Sequence, residues 1–75
     1  MRSMITVERL PTSHGSYLVG PDVSKVLGMI AGISAVHVEH QYIDRATVSY
    51  DWADLGRDFV RIDCLLESKG MRRVR

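Results

Sequence analysis

Three histidines and one cysteine are the side chains in this 75-residue sequence best suited to holding a ligand. His14 lies in the stretch Leu10-Pro11-Thr12-Ser13-His14-Gly15-Ser16-Tyr17-Leu18-Val19-Gly20-Pro21, a polar loop marked by glycine and proline. Its imidazole suits Zn, Ni, Co or Cu(II), and the Ser16 hydroxyl two residues on would be a poor helper ligand. His37 and His40 fall on an apolar-alternating run. Strict alternation puts them on opposite faces, so they cannot chelate one ion together. His37 and Glu39 share the outer face in that reading, as a solvated pair, and His40 takes the core parity. Cys64 sits on a helical run between Asp63 and Leu65, where it reads as a small residue at the edge of the core.

Other chemistries find no set of residues. The sequence holds no nucleophile–base–acid set, phosphate-cradling glycine loop, dinucleotide fingerprint or paired carboxylates, so a non-enzymatic role is expected. Net charge is +1, too small for a nucleic-acid footprint. Lys69, Arg72, Arg73 and Arg75 make the C-terminus locally basic, read as a solvated tail suited to the end of a helix. The lone cysteine cannot close an internal disulfide, which fits a reducing, cytoplasmic setting. No apolar run approaches the ~20 residues of a membrane span, and no signal-peptide pattern is present. The length suits one domain over residues 1–75, with a thin core.

Residues Met4 to Leu10 alternate around Ile5 and Val7 as a first strand, ended by Leu10-Pro11. Gly20-Pro21-Asp22 opens a first helix whose stripe is Val23, Val26, Leu27 and Ile30, with Gly32 as its C-cap. Ser34 to Tyr42 is a second strand, and Ile43-Asp44-Arg45 a turn. A third strand then points Ala46, Val48 and Tyr50 inward and Thr47, Ser49 and Asp51 outward. Asp51 and Asp54 read as the capping start of a second helix with Leu55, Phe59, Ile62 and Leu66 on its buried stripe. Tyr50 and Trp52 are packing residues at the strand–helix corner. Ser68-Lys69-Gly70 stops the helix, and Met71 to Val74 is a last short strand. The order β-α-β-β-α-β predicts an α+β, ferredoxin-like sandwich: a four-stranded antiparallel sheet with two helices on one face. The outward third-strand residues are not aromatic, which argues against RNA.

Gly32-Ile33-Ser34-Ala35-Val36-His37-Val38, Ala46-Thr47-Val48-Ser49-Tyr50-Asp51 and Ser68-Lys69-Gly70-Met71 resemble the heavy-metal-associated domain. That family includes soluble copper chaperones, mercury-binding proteins and the cytosolic tails of metal-transporting P-type ATPases. The likeness runs from about Ile5 to Val74. The family grips its ion with a Met-x-Cys-x-x-Cys loop ahead of the first helix. Here that loop falls on His14 to Val19, with His14 at the methionine position and Ser16 and Val19 at the two cysteine positions. A hydroxyl and an isopropyl group cannot replace two thiolates on Cu(I). Some relatives, among them N-terminal domains of P-type ATPases, also lack the pair.

The resemblance implies a part in metal homeostasis or transport. The domain would bind a divalent transition metal weakly through His14 and Ser16, or dock on a metal transporter without binding metal. The alternative is a metal-independent interaction or regulatory module that uses its sheet edge or open face, as a homodimer or with another protein.

Overall fold

A computed structural model describes residues 2–11, 19–53 and 59–74. The elements are β1 (Arg2–Arg9), α1 (Val19–Gly28), β2 (Ile33–Gln41), β3 (Arg45–Trp52), α2 (Phe59–Ser68) and β4 (Met71–Val74). The strands form one sheet in the order β2-β3-β1-β4, every neighbouring pair antiparallel. The architecture is the α+β, ferredoxin-like βαββαβ sandwich that the alternation pattern predicts.

β1 lies between β3 and β4, and its two inward apolar side chains, Ile5 and Val7, register against Val48 and Ala46 of β3. All four are buried, as is Tyr50 on the same parity. Odd-numbered residues of β1 therefore face the helices and even-numbered ones the open side. On α1 the stripe Val23, Val26, Leu27 and Ile30 is buried as its 3.6-residue spacing requires, whereas Met29 is exposed. Burying a side chain such as Leu27 stabilises the fold by roughly 1.5–3 kcal/mol. Ile62 and Leu66 of α2 close the same core, with Phe59 and Leu65 at its margin.

Gly32 and Gly70 end the two helix connections with positive φ values of 89° and 77°, a conformation glycine adopts without steric cost. Ala53 N–H donates to Gly32 O at 2.9 Å, fastening the α1–β2 turn to the end of β3.

The strand–helix corner differs from the sequence expectation. Asp51 and Trp52 belong to β3, not to the start of α2. Asp51 registers with Arg2 and Ser34, and Trp52 with Ile33. Cross-strand pairing and the burial of the Trp52 ring hold this segment extended, overriding the local Asp-x-x-Asp capping signal. Trp52 packs tilted against Tyr50 at 6.3 Å and edge-on to Phe59 at 6.2 Å between ring centroids. The expected buried position Leu55, and Asp54, lie outside the described residues.

Nor are the C-terminal arginines Arg72 and Arg73 a solvated tail. They lie in β4, where Arg72 pairs with Glu8 on the open side and Arg73 with Asp63 on the helix side. The Arg73–Asp63 pair is bidentate, Nε to Oδ1 at 2.9 Å and Nη2 to Oδ2 at 3.2 Å. Its guanidinium also lies 4.3 Å from the Phe59 ring centroid. The hydrogen bond to Asp63 raises the Arg73 pKa above its already high ordinary value.

Candidate functional site at the β1–α1 end

The β1–α1 connection leaves the sheet at an end that backbone hydrogen bonds draw together. Arg9 N–H donates to Asp44 O, and Leu10 N–H to Gly70 O, each at 2.9 Å. The first bond ties the end of β1 to the β2–β3 turn, and the second ties it to the α2–β4 turn. Arg9 also reaches Asp22 in the first turn of α1, at 3.5 Å. Aspartate there suits the positive end of the helix dipole.

Gln41 was absent from the sequence-based set, yet it positions the start of α1. Its Oε1 accepts the Gly20 N–H at 3.0 Å, and its Nε2 donates to Tyr42 O at 2.6 Å. One side chain thus satisfies an orphan donor of the helix N-terminus and a carbonyl of the hairpin. A Cβ at Gly20 would overlap Gln41 Oε1 and sit 3.0 Å from Val38 Cγ1. Glycine is what permits this approach. Polarity gave no cue to the role, since a strand glutamine is ordinarily a surface residue.

His14 and Ser16, the metal-ligand candidates, lie outside the described residues. Val19 is the first residue of α1 and fully buried in the core. An apolar, enclosed side chain there offers no donor atom to a metal ion. Beside this end, Tyr42 is 59% exposed and Ile43 87% exposed at the β2–β3 turn. Single exposed apolar residues are ordinary. Here the two stand in succession on the turn whose Asp44 carbonyl accepts the Arg9 N–H at the end of β1.

A groove of about 340 Å³ lies along the helix side, lined by Asp22, Lys25, Val26, Met29 and Lys69. Another, of about 380 Å³, follows β4 and is lined by Glu8, Asp63, Glu67, Arg72, Arg73 and Val74. Most of its charge is already matched within the Arg72–Glu8 and Arg73–Asp63 pairs. Cys64 is exposed on α2, not at the core edge. It stands two residues beyond Ile62, about 200° around the helix from that buried position.

The strand histidines are placed differently from the alternation reading. β2 carries two register irregularities, one between Ser34 and His37 and one between Val38 and His40. Ala35 adopts φ 52° in the first. In the second, His40 comes opposite Thr47 while Val38 remains opposite Val48, so Glu39 is an inserted residue. His37 is opposite Ser49. Thr47 and Ser49 are alternate residues on the outward side of β3, so His37 and His40 occupy the same face. His40 is exposed, not on the core parity. Gln41, opposite the inward Ala46, turns to α1.

The Glu39 carboxylate lies on that open face too, accepting the Ser49 hydroxyl at 2.7 Å. Arg2 completes the cluster. It donates from Nη2 to Ser49 Oγ at 2.7 Å and from Nη1 to Ala35 O at 2.8 Å, and reaches Asp51 at 3.6 Å. The Ala35 contact thus steadies the first irregularity from the neighbouring end of β1. Among the described residues, no three His, Cys, Asp or Glu side chains are gathered to enclose a metal ion. No described helix is long and apolar enough to cross a membrane.

Comparison with protein-family models, with curated proteins and with solved structures finds no match.

Proposed function

We propose that this chain is a non-enzymatic, heavy-metal-associated-like domain of metal homeostasis or transport. In this reading it docks on a cytoplasmic portion of a metal transporter through its β1–α1 end. The observation that carries the reading is the exposure of Tyr42 and Ile43 on the turn bonded to the end of β1. Aromatic and branched apolar side chains at a braced tip offer contact area without a large ordering cost. The buried Val19 in place of a thiolate favours docking over ion transfer. Fold alone would not select this function, because the same scaffold serves many.

Two measurements test the proposal. Titration of the protein with Zn(II), Ni(II), Co(II), Cu(I) and Cu(II), repeated with His14→Ala, asks whether the loop is a ligand. Docking without a loop ligand predicts that His14→Ala changes no metal affinity tighter than about 10 μM. A site at that level that vanishes with His14 would replace docking by weak divalent-metal binding at the loop. In the second measurement, a metal transporter co-purifies with the wild-type chain and is lost from a Tyr42→Ser/Ile43→Ser variant. Co-purification only with proteins unrelated to metals would leave the metal-independent interaction module.

A further inference from the structure

We propose that His37 and His40, brought to one face of the sheet by the insertion at Glu39, form a two-imidazole site for a divalent first-row transition ion. The site is built from β2 residues alone and does not depend on the docking reading. Three observations support it. The first is register: the residues opposite the two histidines, Ser49 and Thr47, are two apart on one strand. Same-face neighbours along a strand are roughly 7 Å apart at the backbone. Two imidazoles extending from such positions can meet on one ion at metal–nitrogen distances of about 2.0–2.1 Å.

The second observation is availability. Both residues are exposed, and among the described residues neither ring is engaged in a hydrogen bond, ion pair or ring contact. Each neutral imidazole therefore has a nitrogen lone pair open to a cation. The third is local charge. The Glu39 carboxylate is fixed on the same face by the Ser49 hydroxyl, which also accepts from the Arg2 guanidinium, and Asp51 offsets the charge of Arg2, so the cluster keeps one net negative charge. Glu39 favours a cation there without itself being a ligand. No third protein ligand is gathered, so waters complete the coordination shell. Imidazole selects Zn(II), Ni(II) or Cu(II) over Mg(II) or Ca(II).

The chelate predicts strong dependence on each histidine. With one ring bound, the second is held at high effective concentration, so losing either weakens binding by at least about tenfold. Zn(II) and Ni(II) are the probes, with calorimetry for affinity and imidazole NMR signals for site assignment. The expected result is one ion per chain and simultaneous movement of the His37 and His40 signals. His37→Ala and His40→Ala should each weaken binding at least tenfold, while His14→Ala and Glu39→Gln leave it within a factor of a few.

Deleting Glu39 gives a second check on the geometry. Removal of the inserted residue leaves a regular His-x-His strand with both rings still outward, and binding should persist. Binding lost only with His14→Ala would overturn this site while leaving the loop-ligand reading standing. Binding that survives both strand substitutions, that depends on one histidine alone, or that is absent would also overturn it.

Discussion

Gln41 Oε1 accepts the Gly20 N–H at 3.0 Å, joining the last residue of β2 to the first turn of α1. Gly20 is buried under the exposed Gln41 side chain, so removing the glutamine leaves the donor without its protein acceptor and only partly opened to water. Gln41→Ala should therefore cost about 0.5–1.5 kcal/mol, the net worth of a part-buried hydrogen bond capping a helix N-terminus. In a domain of this size each kcal/mol lowers the melting temperature by roughly 4–8 °C. Gln41→Glu keeps an acceptor and places negative charge at the helix N-terminus, and should hold most of the stability. Thermal denaturation followed by circular dichroism compares the two. An unchanged midpoint in Gln41→Ala would show that the contact carries no net stability.

The role of Gln41 also marks where sequence reading stops. The stripe of α1 and the inward set of β3 follow from period alone, and Val23, Val26, Leu27, Ala46, Val48 and Tyr50 are all buried. β2 breaks the rule because alternation assumes a ladder without insertions, and one extra residue reverses the parity of everything after it. From Val38 onward that insertion moves His40 outward and Gln41 inward. Nothing local in Val38-Glu39-His40 announces it. Asp51 and Trp52 failed for a different reason: a capping signal four residues long lost to pairing with Ser34 and Ile33, more than fifteen residues away. The Arg73–Asp63 and Arg72–Glu8 pairs depend on register between elements and were equally invisible in the basic C-terminal run.

Tyr50 gives the fold an alkaline limit. Its hydroxyl is buried, and the nearby Ser3 contact falls outside good hydrogen-bonding geometry. Burial raises the Tyr50 pKa, only partly opposed by the positive charge of Arg73 and by Ser3. An acid whose folded pKa lies above its unfolded value stabilises the fold fully below the unfolded pKa. That contribution is lost as pH rises through the folded pKa. With an unfolded tyrosine near pH 10, stability should begin to fall above about pH 10. Tyr50→Phe removes this titration and the unpaired buried hydroxyl together. The variant should be as stable as wild type or more so at pH 7, and should show a flatter decline above pH 10. Urea midpoints from pH 7 to 11 give the comparison. A parallel decline in both proteins would assign the limb to other groups.

Ala35 holds φ 52° at the first irregularity of β2, where an L-residue with a Cβ is strained. Holding a non-glycine residue in this left-handed region costs roughly 1–2 kcal/mol. Glycine removes that cost but surrenders about 0.5–1 kcal/mol of backbone entropy on folding. The difference favours glycine by up to about 1.5 kcal/mol, and Ala35 is exposed, so no packed methyl is lost. Ala35→Gly should raise the urea midpoint. Ala35→Val should lower it, because a β-branched side chain is worse still at positive φ. The Arg2 Nη1 bond to Ala35 O uses only backbone on the Ala35 side and should survive both changes. A midpoint lowered by Ala35→Gly would mean that the strand in solution does not hold this residue in the left-handed region.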